Sequence, residues 1–182
     1  MREERPLTMA ERTLVAGMFG AAIDLDPVRI RRWRWWPFQP ERVVMAPMGH
    51  LHIAPGSDAW HDCYASQSVR IQAFFLHEMT HVWQSQTRGR WYLPLMRHPF
   101  CRYAYAFQPG KLFARYGIEQ QAEIVAHTHL LRQGIAVPGK PDLAQYETLL
   151  PFRGPNNSSP TGTGSSLSRF VSDERNWAEP GD

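Results

Sequence analysis

Cysteine is scarce: the 182 residues hold only Cys63 and Cys101. That excludes a disulfide-stapled scaffold and a four-cysteine zinc site. Long apolar runs are missing too. No stretch of about 18 apolar residues occurs, so no transmembrane helix is expected. The first six residues mix acids with arginines, and no apolar h-region follows them, so no secretory leader is expected either. Phosphate-loop and dinucleotide fingerprints are absent, as are a Gly-x-Ser-x-Gly elbow and any internal repeat. Charge of one sign is in small excess: 20 Lys+Arg against 17 Asp+Glu leaves +3, too little to name a nucleic-acid partner. What is there is an ordinary globular composition, 43% hydrophobic and 20% charged, enough for one core. The eight histidines are the first hint of metal chemistry.

Along the chain, Thr8 and Glu11 fit a capping box. Leu14, Val15, Met18 and Phe19 then supply an apolar stripe that Gly20 ends. Short apolar runs follow at residues 24–36, 43–46 and 51–53. Pro37, Pro40, Gly49, Pro55 and Gly56 punctuate them, which predicts a small, mostly antiparallel sheet. The strongest helical pattern spans residues 68–86, with Gly89 just past its end. A connector at residues 91–109, rich in aromatics and arginine, leads to a further helix at residues 118–133. A short helix at residues 141–150 is plausible. From Gly154 the chain turns to Gly, Ser, Pro, Thr and Asn. The expected division is therefore a folded domain at residues 1–152 and a disordered tail at residues 153–182.

The chemistry centres on His77-Glu78-Met79-Thr80-His81, an HExxH. Residues i and i+4 lie about 40° apart around a helix, so both imidazoles face one way. Together they can bind one Zn²⁺, while Glu78 beside them can act as general base on a water at the metal. A catalytic zinc needs a third protein ligand. Glu119 and Glu123, at i and i+4 on the next helix, are the best donors. Placing the ligand first gives Glu119 as ligand and Glu123 as the acid that orients a ligand histidine. His127 and His129 on the same helix are rival ligands. Small Ala122 would allow close helix packing.

These residues resemble the eCIS-core domains, zincin-like metallopeptidase domains associated with extracellular contractile injection systems. The stretch Phe75-Leu76-His77-Glu78-Met79-Thr80-His81-Val82-Trp83-Gln84 is similar to that family's HELTHVxQ helix. Upstream, Phe19-Gly20 with Asp24-Leu25-Asp26-Pro27-Val28-Arg29-Ile30, and then residues 45–53, resemble its opening segment and strand. Downstream, Glu119-Gln120-Gln121-Ala122-Glu123 resembles its ExxAD, with Glu123 in place of Asp. The likeness covers residues 7–133 and extends to relatives labelled "vgr related protein", a name tied to contractile secretion machinery. It implies an α+β, minimal gluzincin-like fold with a small sheet, an active-site helix and a second ligand helix. It implies Zn²⁺ on His77, His81 and Glu119, with Glu78 as base in peptide hydrolysis. It also implies a peptide or protein substrate and injection-system components as partners. A non-catalytic accessory, adaptor or cargo role in such a system is the alternative. The expected location is cytoplasmic, with export open to it, because contractile machines load cargo without a cleavable signal.

A zincin also needs a group that stabilises the oxyanion. His98, Tyr103, Tyr105 and Tyr116 fall between the ligands, and the sequence does not choose among them. Arg29, Arg31, Arg32 and Arg34 alternate with Trp33, Trp35 and Trp36 as in a half-buried strand with arginines over indoles. An RNA or membrane-surface patch is the weaker reading. His50-x-His52 and His61-x-Cys63 could be imagined as a second metal site. The two thiols are expected to be free and buried.

Overall fold

The computed structural model of the protein describes residues 3–96 and 103–152. The expected disordered tail, His98 and Cys101 lie outside the described residues. Strand β1 (Glu4–Pro6) leads into α1 (Met9–Phe19). Strands β2 (Arg29–Arg31) and β3 (Leu51–His52) follow, then the long α2 (Val69–Arg88) and a short α3 (Tyr92–Met96). Helices α4 (Ile118–Arg132) and α5 (Leu143–Leu149) complete an α+β domain.

The capping box at α1 is present: Thr8 Oγ1 accepts the Glu11 N–H at 3.2 Å, and a Glu11 carboxylate oxygen accepts the Thr8 N–H at 2.8 Å. Glu11 does more than cap. Its side chain is fully buried, and Arg5 donates to both of its oxygens, each at 2.8 Å. The Tyr64 N–H adds a third contact at 2.9 Å. Burial works to raise the Glu11 pKa, but the Arg5 guanidinium and the N–H groups of Tyr64 and Thr8 outweigh it and hold the carboxyl below its ordinary range.

The sheet departs from expectation. It has three strands in the order β1-β2-β3, with β1 antiparallel to β2 and β2 parallel to β3, so it is mixed rather than mostly antiparallel. Residues 43–46 form no strand; Met45 makes only an isolated antiparallel bridge to His52. The Arg–Trp stretch is likewise not one strand. Pairing stops at Arg31, because β1 offers β2 only three partners, and the chain then bends. Arginines do sit over indoles, Arg31 over Trp33 at 5.4 Å and Arg32 over Trp60 at 5.3 Å. They also pair with acids, Arg31 with Glu4 at 2.6 Å and Arg32 with Glu3 at 3.1 Å. Their charge is engaged within the fold.

Helix α2 starts at Ser68, whose hydroxyl accepts the Ile71 N–H, and stops at Gly89, where φ is 95°, a value that favours glycine. Its apolar face (Phe75, Leu76, Met79, Val82) packs with Ile124 and Val125 of α4 within one buried cluster. Tyr64 stacks on Phe75 with ring centroids 4.7 Å apart. At the other end of the core, Phe152 lies against Phe19 at 4.7 Å and Trp83 at 4.9 Å. Arg132 pairs with Glu147 at 2.8 Å and fixes α5 against α4. No helix among the described residues is long and apolar enough to cross a membrane.

Two buried histidines make the fold sensitive to acid. Burial and the Arg31 charge push His52 down to about 4. Burial and Arg132 do the same for His129, which meets Gln72 Oε1 at 3.1 Å. The unfolded chain takes up these protons near pH 6.5, the folded chain only near 4. The stability that the neutral forms provide is therefore intact above pH 6.5 and is lost as pH falls toward 4. Each histidine should contribute on the order of 1–2 kcal/mol to the loss by pH 5. Chemical unfolding of the chain and of His129→Gln at pH 7 and pH 5 checks this. The variant should lose less stability on acidification, and an equal loss in both would contradict it.

Candidate metal centre

Helix periodicity sets the site. His77 and His81, one turn apart on α2, have ring centroids 5.1 Å apart and both are buried. Helix α4 crosses them and delivers Glu119 from its first turn, also buried. Glu119 Oε2 lies 3.4 Å from His77 Nε2 and 3.1 Å from His81 Nε2. One donor atom from each of the three residues falls within 4.8 Å of the others. Ligands placed tetrahedrally at about 2.0–2.2 Å from Zn²⁺ are themselves about 3.3 Å apart, so the spacing around Glu119 Oε2 fits a cation at the centre. Two imidazole nitrogens and a carboxylate oxygen are also a donor set that a divalent transition metal accepts. The three residues could hold a metal ion.

The opposite nitrogen of each ring is occupied. His81 Nδ1 meets Gln84 Oε1 at 2.9 Å. Gln84 is itself locked, its Nε2 donating to Ile118 O and to Gln121 Oε1, both at 2.9 Å. Gln121 donates in turn to Tyr116 O at 2.9 Å. His77 Nδ1 meets Glu123 Oε1 at 3.0 Å. Each acceptor holds the proton on Nδ1 and leaves Nε2 with its lone pair directed at the common point. Without a metal, burial works against a charged His77, but the hydrogen bonds to Glu119 and Glu123 outweigh it and push its pKa up to about 10. A cation at the site takes the place of that proton.

The remaining sequence candidates divide clearly. Glu78 is buried beside His77 on α2. Glu123 reaches His77, the contact that the i, i+4 spacing allows. His127 is not part of the three-residue cluster; its Nε2 lies 3.4 Å from Glu123 Oε2. His129 turns away to Gln72. Tyr103 lays its ring along His77, with centroids 6.2 Å apart and an 18° tilt. The Tyr105 hydroxyl is bonded to His127 Nδ1 at 2.7 Å and to the Tyr146 hydroxyl at 2.5 Å. The Tyr116 hydroxyl accepts the Gln108 N–H at 3.2 Å. No further cluster of three metal-ligating side chains occurs among the described residues, so His50, His52, His61 and Cys63 do not assemble into one. Cys63 is free and half-buried rather than buried. Gln84 and Gln121 are the site residues that sequence reasoning missed. The available signal was a glutamine three residues after His81, on the helix face that carries both histidines.

An α+β domain in which two packed helices carry two histidines and a glutamate to one buried, metal-competent point defines the class of protein. The solved effector domain of Pseudomonas aeruginosa VgrG2b is similar over 79% of this chain and 80% of its own, with a TM-score of 0.63 and 31% sequence identity. The chain belongs to the family of that effector domain. It is also 38% identical over 128 residues to the type VI secretion system spike protein VgrG2b of Pseudomonas aeruginosa. That match takes in 66% of this chain but only 12% of the spike protein. No family model matches the chain, so the likeness to eCIS-core domains rests on the residues quoted for it.

Proposed function

We propose that the chain is a zinc-dependent peptidase domain of zincin type, gluzincin-like in its donor set, that serves as an effector of a contractile injection machine. One observation carries the reading: the HExxH helix and Glu119 bring three donors to a single buried point, with Glu78 next to the first of them. His77, His81 and Glu119 would hold the ion. Zn²⁺ there supplies a Lewis acid and lowers the pKa of water. Glu78 takes the proton from the attacking water and hands it to the leaving amine nitrogen as the C–N bond breaks. Glu123 and Gln84 keep the two imidazoles aimed. Tyr103 is the best placed of the candidate oxyanion stabilisers, since its ring borders His77 while the hydroxyls of Tyr105 and Tyr116 are engaged in the core. The substrate class is peptide or protein.

The injection-machine link rests on the family of the VgrG2b effector domain. The same link favours a second reading, a non-catalytic cargo or accessory module. The first reading requires a metal; the second accepts either a structural metal or a latent site. Zinc measured on the purified full chain should lie near one equivalent and fall well below that in His77→Ala. An unchanged zinc content in the variant would contradict the site.

A further inference from the structure

Behind the ligands runs a second chain of polar groups, and three of its members, Tyr146, Tyr105 and His127, have no role in the hydrolysis just described. Tyr146 of α5, fully buried, meets the Tyr105 hydroxyl at 2.5 Å. Tyr105 reaches His127 Nδ1 at 2.7 Å, and His127 Nε2 faces Glu123 Oε2 at 3.4 Å. The other Glu123 oxygen faces His77 Nδ1 at 3.0 Å. Lys140 pins Tyr105 from outside, donating to its backbone oxygen at 2.6 Å with the ammonium 3.8 Å from the ring centroid.

One order of donors satisfies every contact along this chain. An ionised carboxylate only accepts, so in that order both imidazole nitrogens that face Glu123 carry hydrogen. His127 then has Nε2–H toward Glu123, and its Nδ1 is left as an acceptor. The Tyr105 O–H fills that acceptor, and the Tyr146 O–H donates to the Tyr105 oxygen. At the other end, His77 Nδ1–H toward Glu123 leaves Nε2 free to face Glu119 and His81. Burial lowers the His127 pKa, which agrees with a neutral ring.

We propose that Tyr146, Tyr105 and His127 form a positioning relay that acts through Glu123 to fix the tautomer of His77, and so determines which nitrogen His77 offers to the metal. This rests on the metal-site reading above. A carboxylate that serves one imidazole can rotate or exchange its oxygens; a second imidazole, held by the Tyr105 phenol and through it by Tyr146, restrains it. The relay also ties the seating of α5 and of the chain before α4 to the first ligand. His127, Tyr105 and Tyr146 are positioning residues and touch neither metal nor substrate.

The test is zinc affinity of the full chain, measured by competition with a chromophoric chelator, alongside thermal unfolding of the chelator-stripped form. His127→Phe removes both links and should weaken zinc binding about 10–100-fold, the usual cost of losing a partner of a metal-bound histidine. His127→Gln can still donate to Glu123 and accept from Tyr105, so it should recover most of the affinity. Tyr105→Phe deletes a single oxygen and should weaken binding several-fold; it is the fallback where His127→Phe does not fold. Variants that shift the unfolding temperature yet bind zinc within twofold of the parent would overturn the relay, because a purely structural network predicts that pattern. A parent chain that takes up no zinc would overturn the metal-site reading itself, a result separate from the first.

Discussion

Glu78→Gln should leave the fold and the bound metal in place and lower peptide hydrolysis at least about 10³-fold. The substitution keeps the size of the side chain and removes only its ability to take a proton. General acid–base catalysis contributes typically about 10²–10⁴-fold, and in the proposed reaction one carboxylate would both activate the nucleophile and protonate the leaving amine. The upper part of that range is therefore expected, a barrier increase of about 4 kcal/mol or more. Zinc content should not change, because Glu78 is not one of the three clustered donors. Cleavage of an unfolded protein substrate, followed with matched zinc analyses, separates the outcomes. Lost cleavage with retained zinc supports the hydrolase. A variant that keeps zinc and every activity of the parent favours the cargo reading. Lost zinc would mean that Glu78 is a ligand.

Glu11→Ala should cost about 3–5 kcal/mol of stability, the range for breaking a buried ion pair from one side. Glu11 joins three separate pieces of chain: Arg5 on β1, Thr8 at the start of α1, and Tyr64 just before α2. Removing its carboxylate leaves the Arg5 guanidinium half-buried with hydrogen bonds only to Pro6 O and His61 O, and the Tyr64 N–H buried without its acceptor. Tyr64 in turn stacks on Phe75, two residues ahead of His77, so the loss reaches the base of the ligand helix. For a domain of this size the unfolding temperature should fall by roughly 10 °C or more. Glu11→Gln, which keeps an acceptor and loses the charge, should fall between the two. A drop under about 1 kcal/mol for Glu11→Ala in chemical unfolding would show that the hub is dispensable.

The sequence makes some of this architecture readable and hides the rest for physical reasons. Helices α1 and α2 are legible because each carries apolar residues at helical spacing with a glycine just past its end, and Thr8 accepts the expected Glu11 N–H; Ser68 and Asp142 cap α2 and α5 in the structure. The sheet is not legible. Strands of three, three and two residues are too short for alternation to register, and β1 is built of Glu4, Arg5 and Pro6, which carry little strand preference. The parallel β2–β3 pairing is non-local and leaves no local mark. At the site, the local spacings point to His77, Glu78, His81 and the Glu119/Glu123 pair, because one helical turn separates each related pair. Gln84, Gln121 and His127 gain their roles only when α4 lies across α2. Glu11 looks like an ordinary capping residue until Arg5 and Tyr64 fold onto it.

His77, His81 and Glu119 are proposed to hold one zinc ion together. X-ray absorption at the zinc edge on the zinc-loaded full chain tests it most directly. The account predicts two imidazole nitrogens and a carboxylate oxygen at about 2.0–2.2 Å, with one imidazole scattering path lost in His81→Ala. An all-oxygen shell, or a spectrum unchanged by His81→Ala, would contradict it.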